Sequence, residues 1–298
     1  MLLTKESIHM KKIITLLLFC IATVSQAEIR IIVPFSAGGS FDVIARRLAP
    51  FIEAEFGTAT IVQNVNGGAG LIAMKTLESS NKHDTLMVTS PAHYMNLVAQ
   101  NQPLDTFKYP AIFGNSPLYL VTAKKHGLTC ESFRDTSKKY FFGSSGIGTT
   151  GSTAISIINN KYPTITEVPY KTIAQMIPDI MQGTVHATFI HSLTGGFSDT
   201  DTYVPITNTT SKKVNGVPSW SECFGITTFM HTQFLLVGHK EASTQFMTRV
   251  NNVVFTKFMS SPEVNTYFKE SGIVTNPADY FVTQRLVQQE FDFWKSRK

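Results

Sequence analysis

Two glycine-rich stretches hold the residues best suited to chemistry. The first is Arg30-Ile-Ile-Val-Pro-Phe-Ser-Ala-Gly-Gly-Ser-Phe-Asp42. The apolar run from Ile29 to Val33 predicts a strand, the glycines predict a turn, and Phe41 to Phe56 predicts a helix with Ser40 as N-cap and Gly57 as stop. The first N–H groups of a helix have no partner within it and carry a partial positive charge. A helix that begins behind a glycine loop therefore offers donors to a carboxylate or phosphate. The competing reading is a turn that only joins strand to helix. Asp42, near the helix start, reads as a residue that favours the helix dipole rather than as a catalytic acid.

The second stretch is Gly143-Ser-Ser-Gly-Ile-Gly-Thr-Thr-Gly-Ser152. Within it, Gly146-Ile-Gly148-Thr-Thr-Gly151 fits G-x-G-x-x-G between a strand and a helix, and Glu167 stands roughly twenty residues on, where a ribose-binding acid would sit. Three readings stand side by side: a dinucleotide loop, a plain turn, and an anion grip. In the grip, the hydroxyls of Ser144, Ser145, Thr149, Thr150 and Ser152 join the helix-start amides. Export of the chain weighs against a nicotinamide cofactor, and no cofactor is expected.

Catalytic patterns fare poorly. Gly143-Ser-Ser-Gly146 is not G-x-S-x-G, and the sequence has no Walker lysine, H-E-x-x-H or EF-hand loop. The histidines lack ligand spacing: His186 and His191 would not stack on a helix face, and no metal is expected. Asn208-Thr-Thr210 matches a glycosylation acceptor, a triplet that chance supplies readily.

The elements that must position these loops alternate along the chain. Strands are predicted at Thr60–Gln63, Thr85–Thr89, Tyr119–Ala123, Tyr140–Gly143, Thr166–Pro169, His186–His191 and Phe229–Gly238. Helices are predicted at Leu71–Ser79, Glu131–Lys138, Ser152–Asn160, Ile173–Gln182, Thr244–Met259, Pro262–Ser271 and Pro277–Trp294, and a loop or short helix at Ser90–Val98. Pro50 should kink or weaken its helix. Such alternation with short loops implies α/β architecture with mostly parallel sheets.

Residues 1–27 read as a signal peptide. Lys5, Lys11 and Lys12 precede an apolar run from Ile13 to Val24, and Ser25-Gln26-Ala27 suits cleavage after Ala27. Either Met1 or Met10 can serve as the start. The run is short for a membrane span, and bulky Phe19 before Cys20 argues against lipidation. Export leaves Cys130 and Cys223 free to be bridged or to remain two buried thiols. Apolar residues make up 43% of the chain and charged ones 16%, which excludes a disordered chain. Removing the leader takes 26 basic and 21 acidic residues to 23 and 20, a net charge of +3. These charges are dispersed, so no nucleic-acid partner is expected, while a mild positive excess suits anions.

The loops, their order and the leader together resemble the periplasmic solute-binding proteins of tripartite tricarboxylate transporters, the Bug receptors. The resemblance is carried by Val33-Pro-Phe-Ser-Ala-Gly-Gly-Ser-Phe-Asp42 with Ala45-Arg46, Val62-Gln-Asn-Val-Asn-Gly-Gly-Ala-Gly70, Tyr140-Phe-Phe-Gly-Ser-Ser-Gly-Ile-Gly-Thr149-Thr150 and Val168-Pro-Tyr-Lys-Thr172. Val217-Pro-Ser-Trp-Ser-Glu-Cys-Phe-Gly225 is a looser match. It implies a two-domain periplasmic binding protein clamshell of type II-like form, each domain a mainly parallel sheet flanked by helices, with the cleft between. Residues 28–122 with 229–298 would form one domain and 123–228 the other.

The resemblance also implies a small organic carboxylate as ligand, integral-membrane transporter subunits as partners, a monomer, and no enzymatic activity. Its site residues would be Phe35, Ser36, Ala37, Gly38, Gly39, Ser40 and Asn66 on one side. On the other would be Ser144, Ser145, Gly148, Thr149 and Thr150, with Tyr170 and Lys171 nearby. Ser90 and His93 would set selectivity. The sequence departs from the family pattern at Lys82-His-Asp-Thr85, at Thr172 and at His186. An exported hydrolase or a ligand-sensing module on the same scaffold remain the rival readings.

Overall fold

The computed structural model describes residues 28–191 and 199–296. The leader, with its cleavage point after Ala27, lies outside the described residues. Two five-stranded sheets are built on one plan. The first has the order β2-β1-β3-β10-β4, with β1 Ile29–Val33, β2 Thr60–Asn64, β3 Thr85–Thr89, β10 His231–His239 and β4 Phe107–Pro117. The second has the order β7-β6-β8-β5-β9, with β7 Ile165–Pro169, β6 Tyr140–Ser144, β8 Ala187–Ile190, β5 Tyr119–Ala123 and β9 Tyr203–Asn208.

Each sheet is mixed, where mainly parallel sheets were expected. β1 runs parallel to β2 and β3, and β6 parallel to β7 and β8, but β10 and β5 are antiparallel to both their neighbours. The two antiparallel strands are the ones that arrive from the other half of the chain. The expected domain division at residue 122 falls inside β5, whose pairing lies wholly in the second sheet.

The helices are α1 Ser40–Phe56, α2 Leu71–Glu78, α3 Ala92–Ala99, α4 Cys130–Arg134, α5 Thr150–Lys161, α6 Ile173–Gln182, α7 Trp220–Phe224, α8 Thr244–Asn252, α9 Pro262–Glu270 and α10 Tyr280–Lys295. A π-helical turn, Val253–Phe258, continues α8. Helix α1 passes through Pro50 without ending. Proline removes one hydrogen bond there, but Ile44, Leu48 and Ile52 on the same helix are wholly buried, and each buried aliphatic side chain contributes about 1.5–3 kcal/mol. Among the described residues no helix is long and apolar enough to cross a membrane.

Leu118 joins β4 to β5, and Gly225–Met230 leads back into β10. Thr209 ties these crossovers together: its N–H donates to Leu118 O at 3.0 Å, its Oγ1 accepts from Leu118 N–H at 2.9 Å and donates to Met230 O at 2.7 Å. Asn208, of the apparent glycosylation triplet, is fully buried and donates to Val217 O at 2.9 Å, so it holds a turn rather than facing solvent. Cys130 on α4 and Cys223 on α7 form a disulfide with a Cα–Cα separation of 5.3 Å.

Candidate functional site

Ligands of open α/β sheets bind beyond the carboxyl ends of strands where the connections diverge to opposite sides. In the first sheet β1 lies between β2 and β3, and in the second β6 lies between β7 and β8. The glycine loops leave the carboxyl ends of β1 and β6, so the repeated topology puts each loop at such a point.

Asp42 organises the first loop. Its carboxylate, only 2% exposed, accepts from Gly38 N–H at 2.9 Å, Arg46 Nε at 2.8 Å and Asn64 Nδ2 at 2.9 Å. Asn64 Nδ2 also donates to Phe35 O at 2.9 Å, which pins the loop at both ends. Burial alone would raise the Asp42 pKa, but the bonds from Arg46, Gly38 and Asn64 bring it below the ordinary carboxylate range. Gly38 takes φ +80°, a conformation that side chains rarely adopt. The N-cap of α1 is Gly39, not Ser40, because Asp42 reaches back from the third helical position to hold the turn.

The predicted residues of this loop fall into two groups. Ser36 faces Asn66, whose Nδ2 lies 3.5 Å from its Oγ, and Ala37, Gly38 and Gly39 are exposed. Ser40 instead lies near the Tyr267 phenol on α9, and Phe35 lays its ring against Phe41 with centroids 4.6 Å apart.

The second loop is held by Glu167 on β7. Its carboxylate accepts from Ser144 Oγ and, at 3.1 Å, from Ser152 Oγ. Ser144 Oγ accepts in turn from Gly146 N–H at 3.2 Å. The acid that a dinucleotide would use is thus engaged with the loop's own hydroxyls. Thr149 caps α5, accepting from Ser152 N–H at 3.3 Å and donating to Gly146 O at 2.8 Å. Thr150 Oγ1 lies 3.2 Å from Thr232 Oγ1 on β10. Ser145 and Gly148 lie half-buried in the loop between Ser144 and Thr149.

The two sheets bring their loops together. A Cβ built on Gly148 would lie 3.7 Å from the Ala69 Cβ, in the loop after β2. Ala69 O is itself held by Asn96 Nδ2 at 3.0 Å, and Thr153 Oγ1 on α5 lies 3.6 Å from Met95 Sδ on α3. Two open cavities lie elsewhere. One of about 330 Å³ is lined by Glu28, His83, Asp84, Phe246 and Arg249 at the amino ends of β1 and β3, and the other runs along α1 and β2 past Arg46, Pro50 and Ile61. Neither adjoins the glycine loops, and the paired loops carry the stronger chemical argument.

The outlying predicted residues are spread more widely. Ser90 is buried, its Oγ accepting from Ala92 N–H at 3.2 Å. His93 packs into the core against Phe107 and Tyr109, with Nε2 2.9 Å from the Tyr109 hydroxyl and a pKa lowered to about 3 by burial. A selectivity role facing the cleft does not fit that placement, because the three rings it contacts, Tyr94, Phe107 and Tyr109, belong to the core.

Tyr170 donates its hydroxyl to Asp179 on α6; burial and then Asp179 push its pKa up to about 12. Lys171 is exposed in the turn before α6. Thr172, a departure from the family pattern, caps that helix by accepting from Gln175 N–H at 3.3 Å. His186, another departure, accepts from Phe141 N–H at 3.0 Å through Nδ1.

The sequence reading missed His191, which directly follows β8. Its carbonyl accepts from Ser116 Oγ, its Nδ1 lies 2.7 Å from Thr232 Oγ1, and its ring meets Phe41 of α1 edge-on at 5.5 Å. Burial of the imidazole lowers its pKa to about 4. It stands after β8 as Ser90 stands after β3, a correspondence visible only once both strand orders are known.

No family model matches the chain. A UPF0065 protein of Bordetella pertussis is 27% identical over 186 residues, covering 56% of this chain and 57% of that protein. Protein BugT of the same organism is 33% identical over 110 residues, 35% of this chain and 34% of its own. The chain is a relative of the Bug proteins. It spans about half the length of the first of these relatives and a third of the second. Two solved structures share the fold over most of the chain. The R. palustris protein Rpa4515, solved with adipate, superposes with TM-score 0.80 at 23% identity, covering 90% of this chain and 95% of that one. The periplasmic binding protein BugD superposes with TM-score 0.80 at 17% identity and the same coverage.

Proposed function

We propose that this Bug relative is a periplasmic solute-binding receptor that captures a small carboxylate between its two glycine loops and hands it to membrane transporter subunits. The observation that carries the reading is the meeting, at Gly148 and Ala69, of the loop after β6 with the loop after β2, which reaches the loop after β1 through Asn66 and Ser36. Each loop brings helix-start amides and hydroxyls to one place, and such donors replace water around a carboxylate. The adipate in Rpa4515 supports the same ligand class.

In this reading the leader is cleaved after Ala27, and the receptor works as a monomer without chemistry of its own. The two lobes, one around each sheet, close about the crossovers at Leu118 and Gly225–Met230, and ligand shifts the population toward the closed form. Delivery to a transporter follows from the family's role. Several charge-assisted hydrogen bonds, each about 1.5–3 kcal/mol, leave roughly micromolar affinity after the cost of association.

The test is thermal unfolding of residues 28–298, refolded to remove carried-over ligand, with adipate, malate, citrate, glutamate, benzoate and NAD. A ligand at a hundred times its dissociation constant adds about 2.7 kcal/mol of stability. A shift with a carboxylate and none with NAD is expected. A shift with NAD alone, or unchanged carboxylate affinity in both Ser145→Ala and Gly39→Val, would remove the loops from this role.

A further inference from the structure

We propose that His191 is a positioning residue of the ligand site, the end of a hydroxyl chain that sets which way Thr150 presents its O–H. The inference rests on the carboxylate-receptor reading above. Thr150 Oγ1, Thr232 Oγ1 and His191 Nδ1 follow one another at 3.2 and 2.7 Å. They come from the start of α5, from β10 and from the end of β8, so the chain spans both sheets. Thr150 and Thr232 are buried, at 1% and 0% exposure.

Each hydroxyl has a single proton, so the direction of one bond fixes the next. With a bare Nδ1, Thr232 donates to the imidazole and Thr150 donates to Thr232, leaving Thr150 to show only lone pairs toward the loop. With a proton on Nδ1, the imidazole donates to Thr232, Thr232 donates to Thr150, and the Thr150 O–H is released to donate to a carboxylate at the start of α5. The proton comes from solvent and goes to Nδ1; no other bond is made or broken.

Charged groups on the packed elements leave the imidazole to decide. On α1, Asp42 and Arg46 bond each other, and on β10 His231 pairs with Glu290 at 3.4 Å. β4 and α5 present Ser116 and Thr150, which do not titrate. Burial holds the free imidazole neutral at pH 7. A bound carboxylate favours the protonated ring, so binding takes up a proton in mild acid.

The experiment measures affinity by calorimetry at pH 7.5 and 5.5, using the carboxylate of the thermal panel that binds the wild-type chain best. It compares wild type with Thr232→Val and Thr232→Ser, and follows the His191 ring by ¹⁵N NMR. A bound-state pKa restored to the ordinary value of about 6.5 makes wild-type binding about tenfold tighter at pH 5.5 than at 7.5. Thr232→Val flattens that profile, Thr232→Ser restores it, and Nδ1 is unprotonated in the free protein and gains its N–H on binding. A flat wild-type profile, an unchanged profile in Thr232→Val, or an Nδ1–H already present in the free protein overturns the inference. Where wild type binds no carboxylate the receptor reading falls with it; where wild type binds with a flat profile only the hydroxyl chain falls.

Discussion

Behind the loop after β1, one carboxylate gathers a backbone N–H, a guanidinium and an amide: Asp42 with Gly38, Arg46 and Asn64. Behind the loop after β6, Glu167 takes two hydroxyls of the loop itself, Ser144 and Ser152, and reaches the backbone only through Ser144. The first loop is thus fixed by Asp42, Arg46 and Asn64, which lie outside the positions that would meet a ligand, and it gives up only the Gly38 N–H. The second spends some of its own hydroxyls to hold its shape, with Thr150 turned toward Thr232. Two loops with similar glycine and hydroxyl content therefore divide the work differently. The first supplies a rigid backbone surface, and the second supplies hydroxyls whose orientation depends on their neighbours.

A covalent difference adds to this. The disulfide joins α4 to α7 and closes a span of 93 residues that contains the second loop and most of the second sheet. Cys223→Ser should lower stability by about 2–5 kcal/mol, read by urea denaturation under oxidising conditions. Retained carboxylate affinity in the surviving folded protein would confine the staple to stability. Equal stability with and without the bridge would remove the covalent side of the contrast.

Asp42→Ala should cost about 2–3 kcal/mol, because it leaves three donors without their shared acceptor. Its pH dependence has a definite sign. A carboxyl with a lowered folded-state pKa contributes stability that is present above its unfolded value and lost as pH falls through the folded one. Wild type should therefore lose stability below about pH 4 more steeply than Asp42→Asn. Parallel acid-unfolding curves for the two proteins would show that Asp42 does not brace the loop through its charge.

Glu167→Gln should cost less stability, about 1 kcal/mol, since an amide oxygen still accepts one hydroxyl. Its effect on carboxylate affinity should be the larger one, because Ser144 and Ser152 lose their fixed orientation. A Glu167→Gln protein with wild-type affinity would mean that the second loop is as rigid as the first.

These contrasts were only partly legible in the sequence. β1, β3, β5 and α6 have the predicted bounds, because each is an apolar or periodic run closed by a glycine, a proline or a polar turn. β4 and β9 were missed for a shared reason. β4 contains Pro110, Gly114 and Pro117 and β9 contains Pro205, which read as breakers, yet both are edge strands where a missing N–H costs no ladder bond. Asp42 and Glu167 were both singled out, one as a dipole partner and one as a ribose ligand, but their bracing role depends on distant residues. His191 gave no signal, since nothing in its surroundings along the chain announces Thr232 or Phe41.

Two further substitutions of modest expected effect separate two uses of glycine. At Gly38 a Cβ would meet nothing within 4 Å, and the obstacle is the φ of +80°. Gly38→Ala should therefore cost about 1–2 kcal/mol through backbone strain alone. At Gly143 the backbone has no such φ, but a Cβ would lie 2.5 Å from Met176 Sδ on α6. Methionine is flexible and can yield, so Gly143→Ala should cost about 1 kcal/mol, the low end of overpacking. Pairing it with Met176→Leu, which shortens the side chain, should relieve the strain, whereas no packing change elsewhere should rescue Gly38→Ala. If Met176→Leu fails to relieve Gly143→Ala, the glycine in β6 serves the backbone as Gly38 does, and that difference between the loops disappears.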